Sequence, residues 1–178
     1  AAAALRAMRD LYKPEISDKE LMELGVKIGA DVPYCIKGGT ALCEGIGEVI
    51  TELKPFKDKL LVVVKPNFGV STIATYKGFK LSEVKQHPKV DELIEAMNRD
   101  DLKYVADNMM NLLELVTLKE HEEISRIKEF MCAEGALGSM MSGSGPTVFG
   151  FFDSEEKANK CAEMLKDKYK EVFVTSTI

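Results

Sequence analysis

Apolar positions along the chain fall into blocks of two different periods. Leu5, Met8 and Leu11 recur at helical spacing among strong helix formers, and Lys13-Pro14 closes that block. Ser17, with Glu20 three residues on, is a capping box that opens a second helix through Leu21, Leu24 and Ile28, stopped by Gly29. From there the pattern shortens. Residues 33–37, 40–44 and 48–53 read as short strands punctuated by Gly38-Gly39 and Gly45-Ile46-Gly47. Lys54-Pro55 marks a boundary.

Beyond it, the run LLVVVKP at 60–66 predicts a buried strand bounded by Pro66. NFGVSTIATYKGF is a loop leading into a short helix, and 90–98, 101–116 and 119–134 carry helical periodicity with Gly135 as the stop. GSMMSG (138–143) and TVFGFF (147–152) predict strands joined by a tight Ser-Gly-Pro turn. Ser154 caps a helix over 155–169, and EVFVTSTI closes as a strand. The second part therefore runs β-α-β-β-α-β, the split βαβ order of ferredoxin-like domains, with extra helices in the first crossover. The expected class is α/β (α+β), with parts at 1–56 and 57–178. The first helix has no Ser, Thr, Asp or Asn cap and no initiator Met before it, so the stretch reads as part of a longer chain.

Composition narrows the function. Of the 178 residues, 46 % are hydrophobic and 30 % charged, which suits a packed core and excludes a disordered chain. The net charge is −5 and the 24 Lys and Arg are interleaved with acids, which disfavours nucleic acid as a partner. No apolar run approaches the ~20 residues of a membrane helix, and no signal-peptide pattern is present. Cysteines 35, 43, 132 and 161 form no C-x-x-C pair and sit in apolar stretches, so buried free thiols in a reducing cytosol are expected. With only His87 and His121, both in polar surroundings, no zinc or other metal site is expected.

Three places could carry chemistry. Asp31, in GADVP, is either an acid opening a turn before Pro33 or a reactive carboxylate beside a glycine-broken segment that lets other groups come close. MSGSGPTVF at 141–149 is either a plain glycine hairpin or a nest of backbone N–H groups that accepts phosphate oxygens, and it is no Walker loop because no Gly-Lys-Ser/Thr follows. Tyr76 is either a half-buried loop tyrosine or a platform for a flat ring. Met109, Met110, Met140 and Met141 read as core filler, and EEISRIKE reads as a solvated helix face.

In this order, Leu24–Glu48 (LGVKIGADVPYCIKGGTALCEGIGE) and Met141–Phe152 resemble the GHMP kinase superfamily over essentially the whole chain. G-A-D-V-P followed by G-G-T-A and G-x-G-E is similar to one branch of it. That branch phosphorylates a cytidine diphosphate-linked methylerythritol in the non-mevalonate route to isoprenoid precursors. Homoserine and mevalonate kinases share the fold, and a ferredoxin-like ligand-binding module without catalysis is the reading from another class. The resemblance implies a cytosolic enzyme that moves the γ-phosphate of ATP, with Mg2+, to a free hydroxyl. Asp31 would orient that hydroxyl and accept its proton, Ser142, Gly143, Ser144 and Gly145 would pack beside the nucleotide phosphates, and Tyr76 would lie on the cytosine ring.

The same resemblance exposes two departures. The family's lysine partner to the aspartate and its Pro-x-x-x-Gly-Leu-Gly-Gly-Gly-Ser-Ser phosphate loop are not found in these residues. Ala1–Tyr12 would be the body of the helix that follows that loop. The 178 residues alone are therefore expected to show no kinase activity, with residues 1–56 a remnant of the N-terminal domain.

Overall fold

The computed structural model describes residues 1–178, which form two compact units, Ala1–Pro55 and Phe56–Ile178. The division falls one residue before the sequence boundary. Phe56 is buried among Ala96, Val105, Ala106 and Phe151 of the second unit, so its apolar ring is held on that side.

In the first unit, α1 (Ala2–Tyr12) and α2 (Asp18–Val26) stand where the periodicity puts them. Both arms of the capping box are present: the Glu20 amide donates to Ser17 Oγ at 3.3 Å, and the Ser17 amide donates to Glu20 Oε2 at 2.9 Å. Residues 33–37 correct the strand reading, for Val32–Lys37 is a helix, α3. Pro33 sits in its first turn, where a fixed φ and a missing N–H suit a helix start. Pro33 and Ile36, three apart, are the buried face. Gly25 of α2 makes that docking possible, because a Cβ there would stand 2.8 Å from Val32 Cγ1. Packing against α2 thus outweighs the strand preference of a Val-Pro-Tyr-Cys-Ile run. β1 (Ala41–Glu44) and β2 (Val49–Glu52) then form an antiparallel hairpin. Met8, Leu11, Tyr12, Leu24 and Ile28 remain exposed, so the unit's own core is small.

The second unit is built on one antiparallel sheet of β3 (Leu60–Lys65), β4 (Gly138–Met141), β5 (Val148–Phe152) and β6 (Glu171–Ser176), in the order β4-β5-β3-β6. That is the strand order of the split βαβ reading, with its first and third strands at the centre. Alternation sends Val62, Val64, Met141, Val148, Phe152 and Val172 to one face. There they meet Ile124, Ile127 and Met131 of α8 (Glu122–Ala133) and Ala158, Cys161, Ala162 and Leu165 of α9 (Glu155–Lys166). Leu61, Phe149 and Phe151 point the other way, onto α5 (Val90–Asn98) and α6 (Leu102–Asn108).

The helix expected over 101–116 is two pieces, α6 and α7 (Glu114–Glu120), and α7 breaks again at His121 before α8. Asparagines explain the first break. The Asn108 side chain bonds back to the Tyr104 carbonyl at 2.8 Å, and Asn111 Oδ1 accepts the Leu113 amide at 3.0 Å, each offering the backbone an alternative to the helical bond. His121 leaves helical geometry with φ −134 and ψ 72, and its ring stacks on Phe68 at 4.8 Å rather than standing in polar surroundings. EEISRIKE is likewise not a solvated face throughout, because Ile124 and Ile127 are core and Lys128 turns inward to Glu114. α9 ends at Lys166, three residues short of the expected 169.

Candidate active site

Asp31 occupies the residue before α3, with φ −82 and ψ −11. Its backbone carbonyl accepts the Cys35 amide at 3.1 Å, but its side chain makes no capping hydrogen bond. The carboxylate is exposed. The turn that joins β1 to β2 comes close beside it: Gly47, at φ 115, has the Ala30 carbonyl oxygen 3.4 Å from where a Cβ would stand. A side chain at that position would crowd the backbone next to Asp31, and only glycine takes this φ without strain. Tyr34 Oη donates to the Gly39 carbonyl at 2.8 Å and Arg6 to the Ile36 carbonyl, so the C-terminal end of α3 is tied down twice.

Cys43 of β1 reports the charge of Asp31. Loss of solvation, and secondarily the Asp31 carboxylate, push its thiol above the ordinary value. The expectation of four buried thiols fails for three of them: Cys35, Cys43 and Cys132 are exposed, and only Cys161 is buried. Burial pushes the Cys161 thiol up to about 11. Thiolate is the reactive form, so alkylation near neutral pH should modify Cys35 and Cys132 fastest, Cys43 more slowly, and Cys161 only after unfolding. Asp31→Asn should speed the reaction at Cys43, which mass spectrometry of the labelled peptides would show. An unchanged Cys43 rate would remove Asp31 from its electrostatic surroundings.

The second constellation is the connection between β4 and β5. Ser142 donates its amide to the Thr147 carbonyl at 2.8 Å, and the Gly145 amide turns back to the Ser142 carbonyl at 3.0 Å. Gly143 lies at φ 57, and the Gly145-Pro146 peptide is cis. The amides of Gly143 and Ser144 have no acceptor. Two neighbouring N–H groups are thus left without partners in the protein, next to exposed Ser142.

The residues that hold this loop were not found from the sequence. Asn111 Nδ2 donates to the Met141 carbonyl at 2.8 Å and the Gly143 carbonyl at 2.7 Å. Glu114 Oε1 accepts the Met141 amide at 2.8 Å while its other oxygen pairs with Lys128 at 2.5 Å. Thr117, almost fully buried, donates to the Ser144 carbonyl at 3.2 Å. Nothing local in NMMNLLELVT announces these roles, since the partners lie about 30 residues downstream. An asparagine interrupting a helical pattern was the one available signal.

Tyr76 is on a helix, α4 (Thr72–Gly78), not in a loop, and at 63 % exposure it is not half-buried. Thr72, four residues earlier on the same helix face, shares a 2.9 Å hydrogen bond with Ser144. The fold therefore joins the helix of Tyr76 to the Ser142–Gly145 loop, whereas Asp31 belongs to the first unit. Met141 is core and Met109 packs on the second cluster, but Met110 is 37 % exposed and lines a groove of 540 Å³ with Lys85, Gln86 and Leu118. No group of three or more His, Cys, Asp or Glu side chains could hold a metal ion. No helix is long and apolar enough to cross a membrane.

The sheet of the second unit thus has the ferredoxin-like strand order, with the glycine-serine loop at the β4–β5 turn. Residues 93–171 of the chain match the family described as GHMP kinases C terminal. The chain is homologous to 4-diphosphocytidyl-2-C-methyl-D-erythritol kinases. It is 60 % identical to those of Clostridium novyi and Clostridium beijerinckii over 178 residues, all of this chain and 64 % of each relative. The chain thus spans just under two thirds of the length of the curated relatives it matches. A crystal structure of 4-(cytidine 5'-diphospho)-2C-methyl-D-erythritol kinase superposes with a TM-score of 0.80 at 28 % identity, over 99 % of this chain and 62 % of that one. Homoserine kinase from Cytophaga hutchinsonii also gives 0.80, at 20 % identity over the same shares, which shows a common fold only.

Proposed function

We propose that the protein carrying these residues phosphorylates a hydroxyl of 4-diphosphocytidyl-2-C-methyl-D-erythritol, with ATP as donor, and that residues 1–55 belong to the kinase's N-terminal domain. The observation that carries this reading is the 60 % identity to kinases of that name across every residue of the chain. The fold alone would not choose among acceptors, because the homoserine kinase superposes equally well.

In this reading Asp31 orients the attacking hydroxyl and accepts its proton. Its carboxylate suits the task by being exposed and free of any capping bond. The Gly143 and Ser144 amides receive phosphate oxygens, and Ser142 and Gly145 frame them. Bound ATP supplies the transferable phosphoryl group. Mg2+ would come with its phosphates, because no acidic cluster of this chain provides a cage. Positioning and fixed N–H dipoles supply most of the rate in such transfers, which is what a rigid loop and a lone carboxylate can contribute.

Tyr76 offers an exposed ring one helical turn from the residue that touches Ser144, and we assign it to the cytosine. Titration of the full-length protein with the cytidine diphosphate-linked substrate, homoserine and mevalonate tests the function at the level of binding. Only the first should bind. Tyr76→Ala should weaken that binding by ~1–3 kcal/mol, by analogy with bases stacked on aromatic side chains, and leave ATP affinity nearly unchanged. Preferential binding of homoserine or mevalonate would overturn the substrate assignment, and equal losses for both ligands would make Tyr76 an ordinary surface residue.

A further inference from the structure

We infer that Asn111 is a positioning residue that aims the Ser144 amide into the phosphate site. The inference rests on the kinase reading above and adds to it a residue that touches neither substrate.

The argument follows from peptide geometry. In a trans peptide the carbonyl oxygen and the next N–H point in opposite directions, so holding one fixes the other. The only cis peptide of the chain is Gly145-Pro146, which leaves Gly143-Ser144 trans. Asn111 Nδ2 holds the Gly143 carbonyl at 2.7 Å, and the Ser144 N–H must therefore face away from Asn111. By the same rule, the Ser142 carbonyl is turned toward the Gly145 amide, which sends the Gly143 N–H outward. Glycine at 143 would otherwise let this peptide rotate freely, since its own backbone restricts it least and a Cβ there would meet nothing within 4 Å. An external donor is what the loop lacks, and Asn111 supplies it.

The rest of the clamp makes that donor rigid. β4 is an edge strand, and the outward amide and carbonyl of Met141 would face no neighbouring strand. Glu114 Oε1 takes the amide and Asn111 Nδ2 the carbonyl, so the two side chains stand in for a missing strand. Lys128 fixes Glu114, and both side chains are mostly buried, at 22 % and 17 % exposure. Asn111 is itself fixed, because its Oδ1 accepts the Leu113 amide. Thr117 anchors the Ser144 carbonyl from one turn further along. The four bonds from Asn111, Glu114 and Thr117 to the backbone of 141–144 leave the Gly143 and Ser144 amides free.

Asn111→Asp separates aiming from folding. The aspartate keeps the volume and still accepts the Leu113 amide, but it donates to neither carbonyl. In the full-length protein, kcat/KM for ATP should fall about a hundredfold, as for an ångström-scale misplacement, while KM for the cytidine diphosphate-linked substrate stays within twofold. Thr117→Val, which removes only the anchor on the Ser144 carbonyl, should change the same constant in the same direction by less. Without nucleotide, 15N relaxation should show Gly143 and Ser144 ordered in the wild type and with order parameters below about 0.6 in Asn111→Asp. Pyrophosphate should shift the Ser144 amide resonance only in the wild type. If Asn111→Asp leaves the order parameters and the ATP constant within error of the wild type, Asn111 aims nothing. A wild type with no turnover would instead sink the kinase reading, and the relaxation data would then decide the role of Asn111 on their own.

Discussion

Asp31→Asn in the full-length protein is expected to lower kcat by about 10²–10⁴, the range typical of a positioned general base. Asparagine keeps the shape and can still hydrogen-bond a hydroxyl, but it cannot take up the proton that the hydroxyl must lose. Substrate affinity and melting temperature should change little, because the group would act mainly in the transition state. The structure sharpens this expectation. The bond that Asp31 contributes to α3 comes from its backbone carbonyl, and no capping bond from its side chain is there to lose. A turn-forming role would predict the opposite outcome, since asparagine is as good a turn former. Steady-state kinetics beside thermal melting distinguishes the two. A variant with at least a third of normal kcat would end the catalytic assignment.

Phe152→Ala should be the most damaging single truncation in the second unit. Phe152 lies on β5 opposite Leu60, is 1 % exposed, and belongs to the core shared by the sheet, α8 and α9. Removing a ring at such a site costs about 3–5 kcal/mol, through lost transfer energy and the cavity left behind. Phe173→Ala on the edge strand β6 is the control, for its ring is 57 % exposed and the change should stay within about 0.5 kcal/mol. Denaturant unfolding followed by far-UV circular dichroism would measure both. Similar losses at the two positions would mean that the sheet's buried face is not where the structure puts it.

Local signals were enough for much of this architecture. The capping box at Ser17 and Glu20, the Val-rich β3 and the Gly135 stop are decided within a few residues, and the sequence order of strands and helices carried the ferredoxin-like topology. Readings that depend on distant partners did not survive. Val32–Lys37 is helical because Gly25, seven residues earlier, leaves room for Val32. Cys132 has apolar neighbours, yet Ile124, Ile127 and Met131 define the buried stripe of α8, and the next residue turns about 100° toward solvent. Among the candidate residues, Asp31, Tyr76 and the 142–145 loop were visible as unusual local patterns. Asn111, Glu114 and Thr117 were not, because their value lies in which backbone groups they meet across the fold.

The most direct test of the account is turnover by the full-length polypeptide with ATP, Mg2+ and three acceptors in turn, followed by 31P NMR of the products. We expect ADP and a new phosphate ester with 4-diphosphocytidyl-2-C-methyl-D-erythritol, and rates at least about a hundredfold lower with homoserine or mevalonate, whose groups would leave a site built for a cytidine diphosphate unpaired. Phosphorylation of homoserine or mevalonate at a comparable or higher rate, or no ester from any acceptor, would contradict it.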